Sequence, residues 1–180
     1  MQQKEGVLMA ITKKIVQSPE DFQTLDRLIK EIWPEVFTPI IGSDQVAYML
    51  AHYQSPAAIQ NEVQQGAVYL LLLEGDRAVG YTAYEETQQQ IYLSKLYLHQ
   101  STRGKGYASQ VFDWYEEIAS GKTLHLNVNK QNQQAIAVYE HRGFQRVSER
   151  SVAIGSGFVM DDFIYEKEIA EGEGAQQGEY

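Results

Sequence analysis

The segment Leu96-Tyr97-Leu98-His99-Gln100-Ser101-Thr102-Arg103-Gly104-Lys105-Gly106-Tyr107-Ala108 concentrates the chemistry of this chain. It reads as a strand, a short loop, and glycines that open a helix. That order turns unpaired backbone N–H groups and the positive end of a helix towards an anion. Gly104 and Gly106 allow close approach because they carry no Cβ, and Arg103 and Lys105 add positive charge. These residues describe a phosphate or pyrophosphate site. Two common ways of building one are excluded. There is no Gly-x-x-x-x-Gly-Lys-Ser/Thr loop, and no three-glycine fingerprint in a parallel βαβ unit near the chain start.

A second informative stretch follows about twenty residues later. Leu124-His125-Leu126-Asn127-Val128 reads as a strand, and Asn132-Gln133-Gln134-Ala135-Ile136-Ala137-Val138-Tyr139-Glu140-His141-Arg142 as a helix stopped by Gly143 before Phe144. Asn132 stands where an N-cap side chain takes a free amide. Tyr139 lies two turns further on, on the same helix face. By residue type alone Tyr139 is a packed core tyrosine or a phenol with a proton to give, and the chain has 12 tyrosines.

The elements that must hold these groups follow from periodicity. Met9 to Val16 reads as a short strand. Ser18-Pro19-Glu20-Asp21 opens a helix with a capping-box acid, its stripe running through Phe22, Leu25, Ile29, Ile32 and Trp33, with Pro34 limiting it. Trp33 to Gly42 is then expected to be an aromatic loop, followed by a helix capped by Ser43 and a short one started by Ser55-Pro56. Ala67–Leu73, Ala78–Tyr84 and Ile91–Leu98 form an antiparallel meander. In the last of these, alternation sets Tyr92, Ser94 and Leu96 against Leu93, Lys95 and Tyr97. A helix over Gly104–Ser120 and strands at Thr123–Val128, Phe144–Ala153 and Phe158–Ile169 complete an α/β (α+β) chain. Its central sheet is mixed and mostly antiparallel, with helices on both faces and strand–helix–strand crossovers in the second half. One domain is expected over residues 8–169, with residues 1–7 and 170–180 as flexible termini.

Composition narrows the function. Zero cysteines remove disulfides, thiol nucleophiles and thiolate metal sites. The four histidines are scattered and form no metal-ligand pair, so no metal is expected. Fifteen Lys+Arg against 24 Asp+Glu leave a net charge of −9. That charge argues against nucleic acid and favours cationic small partners, and it also serves solubility. No apolar run is long enough to span a bilayer. The first residues lack the layout of a secretory signal, so the expected location is cytoplasmic and away from membranes.

Arg103-x-x-Gly106-x-Ala108 resembles the acyl-CoA pyrophosphate loop of the GCN5-related N-acetyltransferase (GNAT) superfamily. Asn132-x-x-Ala135-x-x-x-Tyr139-x-x-x-Gly143-Phe144 resembles that superfamily's second signature at every position. The likeness covers residues 8–169. It implies the acyl-CoA N-acyltransferase fold, acetyl-CoA as co-substrate, and direct attack of an amine on the thioester, which agrees with the absence of cysteine. It also implies site roles. Backbone groups of Leu96 and Leu98, flanking Tyr97, pair with the pantetheine arm. Amides from Arg103 through Gly104, Lys105, Gly106 and Tyr107 to Ala108 hold the pyrophosphate. Asn132 bonds the pantetheine as well as capping its helix, and Tyr139 acts as general acid towards the CoA sulfur. The general base is left open among Glu35, Glu85, Glu86, Asp161 and Asp162, with His99 and His141 behind them. Trp33-Pro34-Glu35-Val36-Phe37-Thr38, Tyr48-Met49-Leu50 and the helix after Ser55-Pro56 resemble bacterial diamine and polyamine acetyltransferases. A small-molecule amine acceptor is the leading expectation. Acetylation of a protein N-terminus or lysine, and a catalytically idle acyl-CoA-binding module, are the alternatives. A homodimer is compatible with the resemblance.

Overall fold

The computed structural model describes residues 10–172. The elements run β1 (Thr12–Ile15), α1 (Pro19–Ile41), α2 (Ser43–His52), α3 (Pro56–Gln64), β2 (Val68–Glu74), β3 (Arg77–Glu86), β4 (Gln90–Leu98), α4 (Tyr107–Ile118), β5 (Thr123–Asn129), α5 (Gln133–His141), β6 (Gln145–Gly155) and β7 (Phe158–Glu168). The seven strands form one sheet in the order β1-β2-β3-β4-β5-β7-β6. All neighbours are antiparallel except β4 and β5. The expected mixed, mostly antiparallel sheet is therefore present, but only the α4 crossover joins parallel neighbours. The α5 connection carries the chain past β5, because β7 inserts between β5 and β6. Residues 1–7 and most of the C-terminal tail lie outside the described residues, whereas the Gly172 amide donates to Ser120 Oγ at 2.9 Å.

Each sheet face buries its own apolar cluster. Tyr69, Leu71, Tyr81 and Ala83 pack under Leu25, Leu28, Ile29, Ile32 and Trp33 of α1 and Val46 and Met49 of α2. Leu72, Ile91, Leu93, Leu124 and Leu126 pack under Val111, Phe112 and Tyr115 of α4. Burying one such side chain is worth about 1.5–3 kcal/mol. These clusters are what hold the helices to the sheet. Among the described residues no helix is long and apolar enough to cross a membrane.

Ser43 does not cap α2 as expected: it is the helix's first residue, with Gly42 in the cap position and no side-chain cap. Two further local expectations are overturned. The helix does not end at Pro34: α1 continues through Pro34 and Pro39 to Ile41, so the aromatic stretch is helix and not loop. Proline removes one hydrogen bond and crowds the carbonyl four residues back. For Pro34 that carbonyl belongs to Lys30, on the exposed face. On the other face Trp33 stacks near Phe37, with ring centroids 4.3 Å apart, and Phe37 meets Tyr97 edge-on at 5.6 Å. Packing thus outweighs the lost bonds. The second correction is in β4. Ala83 pairs with Lys95 but Tyr84 pairs with Leu93, leaving Ser94 as an extra residue. This bulge reverses the alternation. Ile91 and Leu93 face α4, while Lys95 and Tyr97 turn to the α1 side.

Candidate active site

β4 and β5 pair only where Gln90–Tyr92 meets Thr123–His125, and then separate. β5 stays paired with β7 along its whole length, so the gap opens along the C-terminal half of β4. The His99 N–H donates to the Val79 carbonyl on the β3 side, at 2.7 Å. Successive strand residues turn their polar backbone groups to opposite sides. The groups of Leu98 and Leu96 therefore face the gap, where no strand among the described residues takes them.

The loop after β4 is tied by Thr102, whose Oγ1 donates to the His99 carbonyl at 2.7 Å. Gly104 and Gly106 adopt φ of +80° and +77°, the left-handed conformation that glycine adopts freely. α4 begins only at Tyr107, with Gly106 as its N-cap and no side-chain cap. The glycines thus precede the helix instead of lying inside it. The amides of Arg103 and Lys105 are bonded to Gln100 and Thr102 carbonyls. Those of Gly104, Gly106, Tyr107 and Ala108 meet no acceptor among the described residues. They line a cleft of 530 Å³ with Leu96, Tyr97, Leu98, Arg103, Asn132 and Tyr139. The loop's side-chain cations are already partnered. Arg103 pairs with Glu35 at 2.5 Å and Lys105 with Glu74 at 2.9 Å. The Tyr107 hydroxyl and Lys105 hold the Glu74 carboxyl below its usual range. Lys105 does not line the cleft. Left-handed glycines, amides at a helix start with no acceptor among the described residues, and an unpaired strand edge suit the pyrophosphate and the amide-bearing pantetheine of a CoA thioester.

Asn132 caps α5, its Oδ1 accepting the Ala135 amide at 3.3 Å, and also lines the cleft. Tyr139 lies edge-on to Phe112 at 5.8 Å and beside Phe144 at 6.0 Å. Its hydroxyl has no hydrogen-bond partner among the described residues, and desolvation pushes its pKa up to about 12. Desolvation also raises the pKa of Tyr97.

On the α1 side of the gap lies a chamber of 210 Å³. Trp33, Phe37, Met49, Tyr92 and Met160 supply its apolar and aromatic wall. Glu62, Glu85, Lys95, Asn127, Arg150 and Asp162 supply polar groups. Tyr97 and Tyr139 line both the chamber and the cleft. Of the five carboxylates considered as base, only Glu85 and Asp162 reach the chamber. Glu35 is held by Arg103, Glu86 pairs with Lys122 at 2.5 Å, and Asp161 with Lys130 at 2.9 Å. His99 bonds Ser101 beside the loop, and His141 ends α5 on the surface. Sequence reasoning missed the pair at the chamber's floor. Lys95 Nζ meets Glu62 Oε2 at 3.0 Å and the Tyr69 hydroxyl, and burial lowers its pKa. A lysine inside a mostly apolar strand is the available signal. Among the described residues no group of three or more His, Asp and Glu side chains could hold a metal ion.

The split sheet, its anion-receiving turn and its two-sided opening make up an acyl-CoA N-acyltransferase fold. A family model described as an acetyltransferase (GNAT) domain matches residues 37–160. The chain belongs to this family and is an acetyl-CoA-dependent N-acetyltransferase. Several solved structures share its fold. The PaiA N-acetyltransferase of Thermoplasma acidophilum in complex with coenzyme A has a TM-score of 0.71 and 21% identity over 89% of this chain and 99% of that one. NAA60 of Arabidopsis thaliana in complex with a bisubstrate analogue has a TM-score of 0.65 and 17% identity over 91% and 100%. The ribosomal-protein-S18-alanine N-acetyltransferase of Escherichia coli has a TM-score of 0.64 and 14% identity over 94% and 99%. At these identities the likeness is one of fold. No curated protein matches the sequence.

Proposed function

We propose that the protein transfers the acetyl group of acetyl-CoA to a primary amine of a small, cationic acceptor of the diamine or polyamine kind, with Tyr139 as the group that meets the leaving sulfur. The observation that carries this reading is the meeting of cleft and chamber at Tyr97 and Tyr139. The cleft takes the thioester, with the pyrophosphate on the free amides of Gly104, Gly106, Tyr107 and Ala108. The pantetheine lies along the open edge of β4 at Leu96 and Leu98, beside Asn132. The acceptor enters from the chamber. The neutral amine attacks the thioester carbon, a C–N bond forms, and the C–S bond breaks. Two features support a small cationic acceptor: the size of the chamber and the net charge of −9.

The magnitudes define what Tyr139 does. Desolvation raises its pKa, further above the ~8.5 of a thiol. Outright transfer of its proton to the thiolate is therefore uphill. The hydroxyl therefore stabilises the departing thiolate by a hydrogen bond. The proton that ends on sulfur comes from the attacking nitrogen, relayed through the phenol, so Tyr139 finishes as it began. The testing experiment is a panel of diamines, polyamines, peptides and hydroxyl compounds incubated with acetyl-CoA, read as released CoA thiol. Small amines should release thiol well above the hydrolysis background. Release with peptides or hydroxyl compounds alone overturns the reading.

A further inference from the structure

The chamber holds hydrogen-bond acceptors that lack donors. Asp162 is 5% exposed and lines the chamber, and its carboxylate makes no hydrogen bond or ion pair among the described residues. Arg150 stands opposite it in the β6–β7 ladder, yet contributes only its field. Gln54, 8% exposed, leaves its buried Oε1 without a partner, and so does Asn127 with its Oδ1. Both residues line the same chamber. Asn127 Nδ2 is turned to the Tyr92 hydroxyl at 3.3 Å, which leaves the oxygen facing away from that bond. Lys95 does not answer this need, since Glu62 and the Tyr69 hydroxyl already hold it. Buried acceptors without donors are costly. An ammonium group supplies N–H donors that complement these three acceptors.

That ammonium is not the nitrogen that reacts. A carboxylate beside an amine stabilises the protonated form, which has no lone pair to attack. Asp162 moreover lines the chamber only, whereas the junction with the thioester cleft is marked by Tyr97 and Tyr139. Resting on the proposed acetyl transfer to small amines, we infer that Asp162, with Asn127 and Gln54, binds a second, non-reacting ammonium of the acceptor, so that the site selects molecules carrying two amino groups. Desolvation raises the Asp162 pKa, and an arriving cation reverses that effect. Glu85, an exposed residue of the same lining, adds negative charge, and Arg150 opposes it.

The experiment compares α,ω-diamines with monoamines of the same carbon length, using wild-type protein and Asp162→Asn. For the wild type, kcat/KM for the diamine should exceed that for the monoamine by roughly 10- to 100-fold, the worth of a charged hydrogen bond. In Asp162→Asn that ratio should collapse towards one, chiefly through KM of the diamine, with the melting temperature checked alongside. A wild type that prefers monoamines, an unchanged ratio in the variant, or an equal loss on both acceptors overturns the assignment. The wild-type comparison stands even if the variant does not fold. Absence of thiol release with every amine overturns the acetyl-transfer reading itself, a different result from any of these.

Discussion

Gly106→Ala separates two consequences of one small change. Gly106 has φ of +77° and ψ of 15° at the start of α4. An alanine that held the left-handed conformation fully would cost roughly 1–2 kcal/mol, partly offset by the unfolded chain's lost freedom, and the loop gives way to shed part of that strain. A net loss near 1 kcal/mol lowers the melting temperature by about 2–4 °C for a chain of this size. Relieving the strain means rotating the loop. That moves the free amides of Gly104, Gly106, Tyr107 and Ala108 away from a shared anion. Losing one charge-assisted bond is worth about 1.5–3 kcal/mol, or at least tenfold in the dissociation constant for CoA. Gly157→Ala is the matched control. Gly157 has φ of +78° in the β6–β7 turn, with nothing within 4 Å of an added Cβ. It should show the same fall in melting temperature and unaltered CoA affinity. Calorimetric titration of CoA into both variants is the assay. Wild-type affinity in Gly106→Ala, or equal weakening in both, refutes the placement of the pyrophosphate.

Other expectations follow from single contacts. Asp21 caps α1 from within: its carboxylate accepts the Ser18 amide at 3.1 Å and pairs with Lys14 at 2.8 Å, and these partners, Lys14 first, hold its pKa far below the usual range. Asp21→Ala should cost about 0.5–2 kcal/mol at neutral pH. A depressed folded-state pKa contributes stability above the unfolded value of ~3.9. The gap between variant and wild type should therefore close as pH falls from there through the folded-state pKa, as followed by thermal melts across pH. If the acidic surface recruits a cationic acceptor, KM for a diamine should rise severalfold between low and high salt, because screening shortens the field to ~8 Å at physiological ionic strength; a flat salt profile assigns the net charge of −9 to solubility alone.

The legibility of this protein in its sequence divides along the range of its contacts. Gly104, Gly106, Asn132 and Tyr139 stand out because loop and helix geometry tie function to fixed local spacing. The meander and the two-faced sheet are readable for the same reason, from alternation and turn residues. The chamber is not. Gln54 precedes α3, Glu62 lies on it, Lys95 is on β4, Asn127 on β5 and Asp162 on β7. No spacing announces that they meet. The bulge at Ser94 also defeats period-two reading, turning Lys95 and Tyr97 to the face opposite Leu93. Pro34 misleads in a similar way. Its local cost is real, but the stack of Trp33, Phe37 and Tyr97 is a tertiary contact that carries the helix onward.

If acetyl transfer takes place where cleft and chamber meet, with the Tyr139 hydroxyl on the leaving sulfur, then removing that one oxygen must slow turnover. Steady-state kcat of Tyr139→Phe is the measurement, since the substitution keeps the ring against Phe112 and Phe144. General-acid contributions run to ~10²–10⁴-fold, and a thiolate leaves readily, so a fall in kcat of roughly 10- to 100-fold is expected, with CoA affinity within about twofold of wild type. Full turnover in the Phe variant, with or without a lower melting temperature, contradicts the account and returns Tyr139 to the core.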